Sequence, residues 1–296
     1  MGTFAAMISI EPNQLSTAKL HGYILGAVSP RPICFASTVD KEGKVNLSPF
    51  SFFNVFSAKP PILVFSPARR GRDNTTKHTY ENVLEVPEVV INIVSYAMVH
   101  QVSLSSTEYA KGVNEFTKAG FAELASEMVK PPRVAEAPVQ LECKVNEVIS
   151  LGKEGGAGNL VICEVVKLHI KEDILDENGS IDPFKIDTVS RLGGNWYSRA
   201  KAGLFEVQKP LTTLGIGVDS LPEEIRKSKV LTGNDLGILG NVENFPNSEE
   251  INTFIHASEE LKMLISENNS ESIHKKAQQY LREGKVDQAW KVLLGK

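Results

Sequence analysis

Two long β-rich runs face each other across a short glycine-rich segment, and this pairing constrains the fold more than any other feature. "VQLECKVNEVISLG" (139–152) and "NLVICEVVKLHI" (159–170) flank "KEGGAG". Runs of this length and composition, separated by a turn that tolerates unusual backbone angles, predict a long β-hairpin and hence an antiparallel sheet. Other segments supply partners for it. "ICFASTV" (33–39), the polar turn "DKEGK" and "VNLSPFSFFNV" (45–55) read as a second hairpin. "ILVFS" (62–66) is a continuous apolar run that suits a strand buried on both faces, and "VVINIVS" (89–95) is another strand.

Helical signals interrupt the strands. Residues 75–84 predict a helix capped by Asn74, Thr75 or Thr76, with Val83 and Leu84 facing inward. Residues 96–120 are helical in pattern and end at Gly120. "DILDENGSIDPFKID" is turn-rich, and "TVSRLGGNWYSRA" reads as a loop. Composition shifts after Leu211. From Ser248 onward the apolar residues Ile251, Phe254, Ile255, Leu261, Leu264 and Ile265 recur near helical spacing, with Ser248 and Ser270 as candidate N-caps. The expected organisation is one domain over residues 1–210 and a linker with a helical extension over 211–296.

Composition excludes several classes. The chain has 296 residues, 42% of them hydrophobic, with a net charge of -4, so nothing in it calls for nucleic acid or a membrane surface as partner. Cys34, Cys143 and Cys163 are odd in number and widely spaced, which argues against a disulfide framework or a zinc site. The start "MGTFAAMISIEP" does not read as a secretory signal, and no apolar run approaches the ~20 residues that span a bilayer. A cytoplasmic location is the expectation.

Three stretches are candidates for chemistry. In "SPFSFFNVFSAKPP" (48–61), read as one strand, Ser48, Phe50, Phe52 and Asn54 share one face, while Pro49, Ser51, Phe53 and Val55 share the other. Neither face is cleanly apolar. Such a strand suits a wall against a flat, partly polar ligand, or equally an edge strand with a bulge near Pro49. "SPARRGRDNTTKH" (66–78) sets Arg69, Arg70, Arg72 and Lys77 among small polar residues ahead of a helix start. It suits a phosphate without being a P-loop, or it is a solvated basic loop. "RLGGNWYS" (191–198) combines adjacent glycines with Trp196 and Tyr197, as a ligand contact or as a turn anchored by aromatics. No triad, carboxylate pair or metal cluster emerges, and only His78 of the six histidines sits in a suggestive loop. An enzyme built this way borrows its chemistry from a cofactor.

"GAVSPRPICFASTVDKEGKVNLSPFSFFNVFSAKPPILVFSPARR", followed by "KHTYENVLEVPEVVINIV" and "RLGGNWYS", resembles the flavin reductase-like, FMN-binding split-barrel family in its flavoredoxin and flavin reductase branch. The resemblance runs from about Leu20 to Pro210 and leaves the helical tail unexplained. It implies a mainly β fold with α: a six-stranded antiparallel Greek-key split barrel, paired into a homodimer, with FMN near the dimer interface. Carried over residue by residue, it implies that Ser37 and Thr38 line the flavin and that Ser51, Phe52, Phe53 and Asn54 run past its ring and ribityl chain, with Ser48 nearby. Ser66, Arg69, Asp73, Thr76 and Lys77 fall in the phosphate loop, and Arg191, Gly193, Gly194 and Tyr197 close the site. The implied activity is hydride transfer from NAD(P)H to flavin N5, with no general acid required. A flavoredoxin-like carrier serving a redox protein partner, and a non-catalytic FMN-binding protein, are the alternatives.

Overall fold

A computed structural model describes residues 6–207, 209–211 and 214–295. The chain divides into two compact units between Phe205 and Glu206.

The first unit is built on a seven-stranded sheet. Its strands are β1 (Cys34–Val39), β2 (Val45–Phe50), β3 (Phe53–Ala58), β4 (Pro61–Phe65), β5 (Glu88–Ile93), then β8 (Val139–Ser150) and β9 (Asn159–Ile170). Between them lie the short pair β6 (Glu123–Leu124) and β7 (Arg133–Val134), and after them the pair β10 (Val189–Arg191) and β11 (Tyr197–Arg199). The main sheet is antiparallel throughout, in the order β2-β1-β5-β8-β9-β4-β3. The long hairpin forms as its sequence predicts, from Val139 opposite Ile170 to Ser150 opposite Asn159. Two register shifts, at Glu142/Cys143 and Val145/Glu147, mark bulges that add twist.

β2 and β3 are consecutive in the chain yet occupy opposite edges of the sheet, with only Ser51 and Phe52 between them. Phe50 and Phe53 are three steps apart, no more than ~11 Å of chain, so the sheet has to curl until these two strand ends come together. The Ser66 N–H donates to the Phe52 carbonyl at 2.9 Å, carrying the β3–β4 ladder one residue further, up to this corner. Residues 45–55 are therefore two strands rather than one, and the face alternation expected over residues 48–55 restarts at the corner. The same division raises the strand count to seven from the six implied by the resemblance.

Each face of the sheet carries its own core. Cys34, Ala36, Phe50, Phe65, Ile91, Cys143 and Cys163 form one apolar cluster. Ile33, Phe35, Leu47, Val94, Met98 and Phe116 belong to the other. Because β1 feeds both clusters by simple alternation, all six of its residues are buried. In β4, by contrast, Leu63 and Phe65 are buried while Ile62 and Val64 are half-buried, so the expectation of two buried faces is only half met. β4 lies one strand from the sheet edge.

Helices α1 (Thr17–Ala27), α2 (His78–Glu85), α3 (Val99–Leu104) and α4 (Glu115–Ala119) complete this unit. α2 begins later than expected, with Lys77 in the N-cap position, because the anticipated caps hold other partners: Asn74 binds Arg69, Thr75 binds Asp73 and Thr76 binds Glu81. Thr79, Asn82 and Val83 form its buried stripe, and Leu84 is exposed. The helical pattern over residues 96–120 splits into α3 and α4. The Ser105 and Ser106 hydroxyls bond back to the carbonyls of Gln101 and Ser103 at the end of α3, and Gly120 terminates α4 at φ +73°.

The second unit is helical: α5 (Glu223–Arg226), α6 (Gly233–Leu239), α7 (Ser248–His256), α8 (Glu259–Ser266), α9 (Ser270–Arg282) and α10 (Val286–Leu293). Trp290 is the largest of its buried side chains. The N-caps of α7 and α9 are Asn247 and Asn269, one residue before the expected serines. Asn247 Oδ1 accepts from the Glu250 N–H at 2.9 Å, and Glu250 Oε2 accepts from the Asn247 N–H at 3.0 Å.

Candidate functional site

The basic loop between β4 and α2 is seated on the tip of the β8–β9 hairpin. The Arg69 N–H donates to the Ala157 carbonyl at 2.8 Å, and the Gly156 N–H returns a bond to the Arg69 carbonyl at 3.0 Å. A Cβ at Gly155 would lie 3.0 Å from the Arg70 carbonyl oxygen, and one at Gly158 would lie 2.7 Å from Ser66 Oγ. The glycines of "KEGGAG" thus allow the loop to approach, a role beyond that of a hairpin turn. Ser66 is buried, its Oγ accepting from the Asn159 N–H at 3.0 Å. Asn159 also donates to the Pro67 carbonyl at 2.9 Å. Its own Oδ1 is buried without a partner among the described residues.

The four cations of this loop have separate tasks. Arg69 holds the loop itself, through Nε to Asn74 Oδ1 and a second nitrogen to the Asn74 carbonyl, both at 2.6 Å. Arg70 donates to Thr75 Oγ1 at 2.9 Å and to the Thr76 carbonyl. Arg70, Arg72 and Lys77 converge on Glu108, which arrives from the segment between α3 and α4. Asp73 accepts from the Thr75 hydroxyl at 2.7 Å and its N–H at 3.1 Å. These bonds, with that from Arg72, draw its pKa down to about 2. Asp73 therefore shapes the turn as a carboxylate. Burial, then the neighbouring Arg70, lowers the Lys77 pKa, and burial likewise lowers that of His78.

β2 links this loop to a cavity. Near its start, Asn46 donates to Thr79 Oγ1 at 2.8 Å, and the buried Asn82 amide donates to Thr38 Oγ1 at 3.1 Å, fixing α2 against β1 and β2. Ser48 follows, half-buried. At the far end, Pro49, Phe50 and Ser51 line a cavity of about 630 Å³ together with Tyr96, His100, Arg191 and Tyr197. Asn46 and Ser51 are five residues apart, roughly 16 Å of extended chain.

The cavity wall includes two arginine–aromatic stacks. Arg191 lies 4.5 Å from the Tyr197 ring centroid, and Arg199 lies 3.9 Å from that of Tyr96 while pairing with Asp187 at 2.5 Å. Residues 191–198, expected to be a loop, form most of the β10–β11 hairpin, closed by Gly194 at φ +58°. Gly193 abuts α1, where an added Cβ would lie 3.3 Å from Gly26 Cα. Arg31 braces the same junction. It is 7% exposed and donates to the carbonyls of Leu25 at 2.7 Å, Val28 at 2.6 Å and Leu192 at 3.0 Å.

Of the residues singled out in the sequence, Ser51, Arg191 and Tyr197 meet in the cavity, although 140 positions separate Ser51 from Arg191. Ser66, Arg69, Asp73, Thr76 and Lys77 share the loop. Phe53 packs against the interior core. Phe52 is partly exposed with its ring edge-on to His21 at 6.0 Å, and Asn54 is exposed and accepts from its neighbour's N–H at 2.8 Å. Ser37 lies on the β1 face of Phe35, opposite that of Thr38, with a buried hydroxyl that has no partner among the described residues. Sequence reasoning missed Arg31, His100, Glu108 and Asn159.

Among the described residues no group of three His, Cys, Asp or Glu side chains is placed to hold a metal ion, and no helix is long and apolar enough to cross a membrane. The family model for the flavin reductase like domain matches residues 26–185. An uncharacterized protein of Aquifex aeolicus is 39% identical over 181 residues, which are 61% of this chain and 90% of that one. Nitrilotriacetate monooxygenase component B from Bacillus cereus is 30% identical with a TM-score of 0.64, covering 70% of this chain and all of that one. The 2-nitrobenzoate 2-nitroreductase NbaA of Pseudomonas fluorescens is 26% identical with a TM-score of 0.63, covering 71% of this chain and all of that one.

Proposed function

The chain belongs to the flavin reductase like domain family, and from that premise we propose that its N-terminal unit binds FMN and works as an NAD(P)H-dependent flavin oxidoreductase. The observation that carries this reading is the course of β2. One end of the strand is tied to the helix that follows the cationic loop, and its other end lines a cavity with aromatic and guanidinium walls. A phosphate suits the first location, where Arg70, Arg72 and Lys77 converge. A flat, partly polar ring suits the second, where Phe50, Tyr96 and Tyr197 offer apolar area and Ser51 and Arg191 offer donors.

When bound, FMN would supply the hydride-accepting N5. The protein's part is to bind and orient. Lys77 and Arg70 neutralise the phosphate, and Ser48 and Ser51 donate along the strand. Arg31 keeps the α1 terminus and the β10–β11 loop in place around the cavity. A homodimer belongs to the same reading: Val55 and Phe56 on edge strand β3 are 64% and 67% exposed, an apolar surface that suits a second copy.

The test is direct. Purified protein should be yellow or take up FMN stoichiometrically, and stopped-flow mixing with NADH or NADPH should bleach the flavin. Flavin binding without bleaching at millimolar donor would favour a flavoredoxin-like carrier with a redox protein partner. No flavin binding would end both readings.

A further inference from the structure

The cation cluster already holds an anion of the protein's own. Glu108 lies 38 residues beyond Arg70 in the chain, on the irregular segment joining α3 to α4. Its Oε1 is 3.0 Å from Arg70 Nε and 3.7 Å from Lys77 Nζ, and its Oε2 accepts from Arg72. Burial would raise the Glu108 pKa, but the hydrogen bond from Arg70 and the charges of Arg72 and Lys77 more than offset it. The group is ionised at neutral pH.

Charge sets the terms of any competition here. Four cations, Arg69, Arg70, Arg72 and Lys77, face two carboxylates, Asp73 and Glu108. The loop is left with two positive charges in excess. A phosphate monoester carries roughly −1.5 to −2 charges at pH 7 and three acceptor oxygens. It therefore outmatches a single carboxylate at the same donors. A neutral ligand gains nothing from the contest. Glu108 is also placed to yield: its side chain is 36% exposed, whereas that of Arg70 is 15% exposed and held by Thr75 and Thr76. Arg70 is fixed more firmly than the carboxylate it holds, while Arg72, at 69% exposed, is free to follow whichever anion occupies the cluster.

We propose that Glu108 is a specificity-determining residue of the anion site, an internal carboxylate that occupies the Arg70–Arg72–Lys77 cluster and must be displaced by an incoming dianionic phosphate. The identity of the ligand as FMN rests on the function proposed above; the competition itself does not.

The test uses the full-length, flavin-free chain and three probes: inorganic phosphate by thermal stabilisation, then FMN and riboflavin by quenching of flavin fluorescence. In Glu108→Gln, phosphate and FMN should bind about three- to tenfold more tightly, as expected for removing a competing pair of this exposure. Riboflavin affinity should stay within about twofold, and Glu108→Ala should behave in the same way. Lys77→Ala, made in either background, should weaken the phosphate response. Unchanged or weaker phosphate binding in Glu108→Gln would overturn the proposal, because Glu108 would then only brace the loop. Equal tightening of riboflavin, disagreement between the two Glu108 variants, or no phosphate response in any form would overturn it as well. If phosphate binds and Glu108→Gln strengthens it while FMN binds to neither form, the flavin reading falls and the competitor role stands.

Discussion

Replacing Arg31 by Met should loosen two segments that are far apart in sequence and leave the sheet alone. Met keeps an unbranched apolar stem but removes every donor. Three carbonyls, those of Leu25, Val28 and Leu192, lose partners at 2.6 to 3.0 Å. The contact to Ser51 Oγ is 3.4 Å and adds little. At about 1 kcal/mol net for each of the three bonds, the attachment weakens by about 3 kcal/mol. That corresponds to roughly a hundredfold increase in local opening. Hydrogen exchange reads it residue by residue. The Val28 and Leu192 amides, bonded to the carbonyls of Ile24 and Trp196, should exchange about a hundred times faster, and amides paired between β8 and β9 should not change. Arg31→Lys should restore only a fraction, since one ammonium does not reproduce the planar fork that reaches both α1 and the β10–β11 loop. Acceleration below about threefold at Val28 and Leu192, or equal acceleration throughout the sheet, would refute the reasoning.

Other consequences can be checked in parallel. Lys77→Ala with Arg69→Ala should weaken FMN binding while sparing riboflavin. Because Arg69 is engaged with Asn74, Lys77→Ala alone should account for most of the direct phosphate effect, and equal preference for FMN and riboflavin in parent and variant would remove the loop from the site. The Asp73 pKa is depressed to about 2 in the fold, so its contribution to stability is present above its unfolded value of about 3.9 and disappears as pH falls from there towards 2. Denaturation across that window should be flatter in Asp73→Asn, and an unchanged acid limb would contradict the assignment. Glu142 is fully buried, accepts from the Glu127 and Met128 N–H groups and lies 2.7 Å from His169 Nε2. Glu142→Ala should cost about 3–5 kcal/mol in chemical denaturation, and a loss below 1 kcal/mol would refute the account. In the second unit, Trp290 is 1% exposed, 4.8 Å from the Phe245 ring, and donates to the Leu239 carbonyl at 3.2 Å. Trp290→Ala should cost that unit about 3–5 kcal/mol, seen as loss of helical circular dichroism with FMN binding retained.

Local pattern made part of this legible in the sequence. The β8–β9 hairpin is announced by two long β-rich runs on either side of glycines, and Gly120 ends its helix as glycine at C′ should. The corner at Ser51 and Phe52 is different in kind. Nothing within residues 45–55 marks it, because it depends on β4 pairing with β9, with Leu63 opposite Cys163 a hundred residues on. Reading that stretch as one strand assigned its faces wrongly beyond the corner. The basic loop was visible as charge, but which arginine is available was not: Asn74 engages Arg69, and a glutamate outside the motif engages Arg70. Arg31 sits in a recognisable "PRP", yet its guanidinium reaches Leu192, 161 positions away. Side chains that act through distant carbonyls leave no periodic trace.

The Ser51–Phe52 corner also bears on how the sheet keeps its curvature. An open sheet of seven strands would present two free edges to any other unpaired strand. Here the two edge strands do not pair with each other, but a single dipeptide ties the end of one to the start of the other. Cleaving the chain between Ser51 and Phe52, or inserting a flexible linker there, would leave most of the sheet's hydrogen bonds intact. It would nevertheless let the ends of β2 and β3 part and the sheet uncurl. The curvature of the sheet, more than its hydrogen bonding, is what this corner holds.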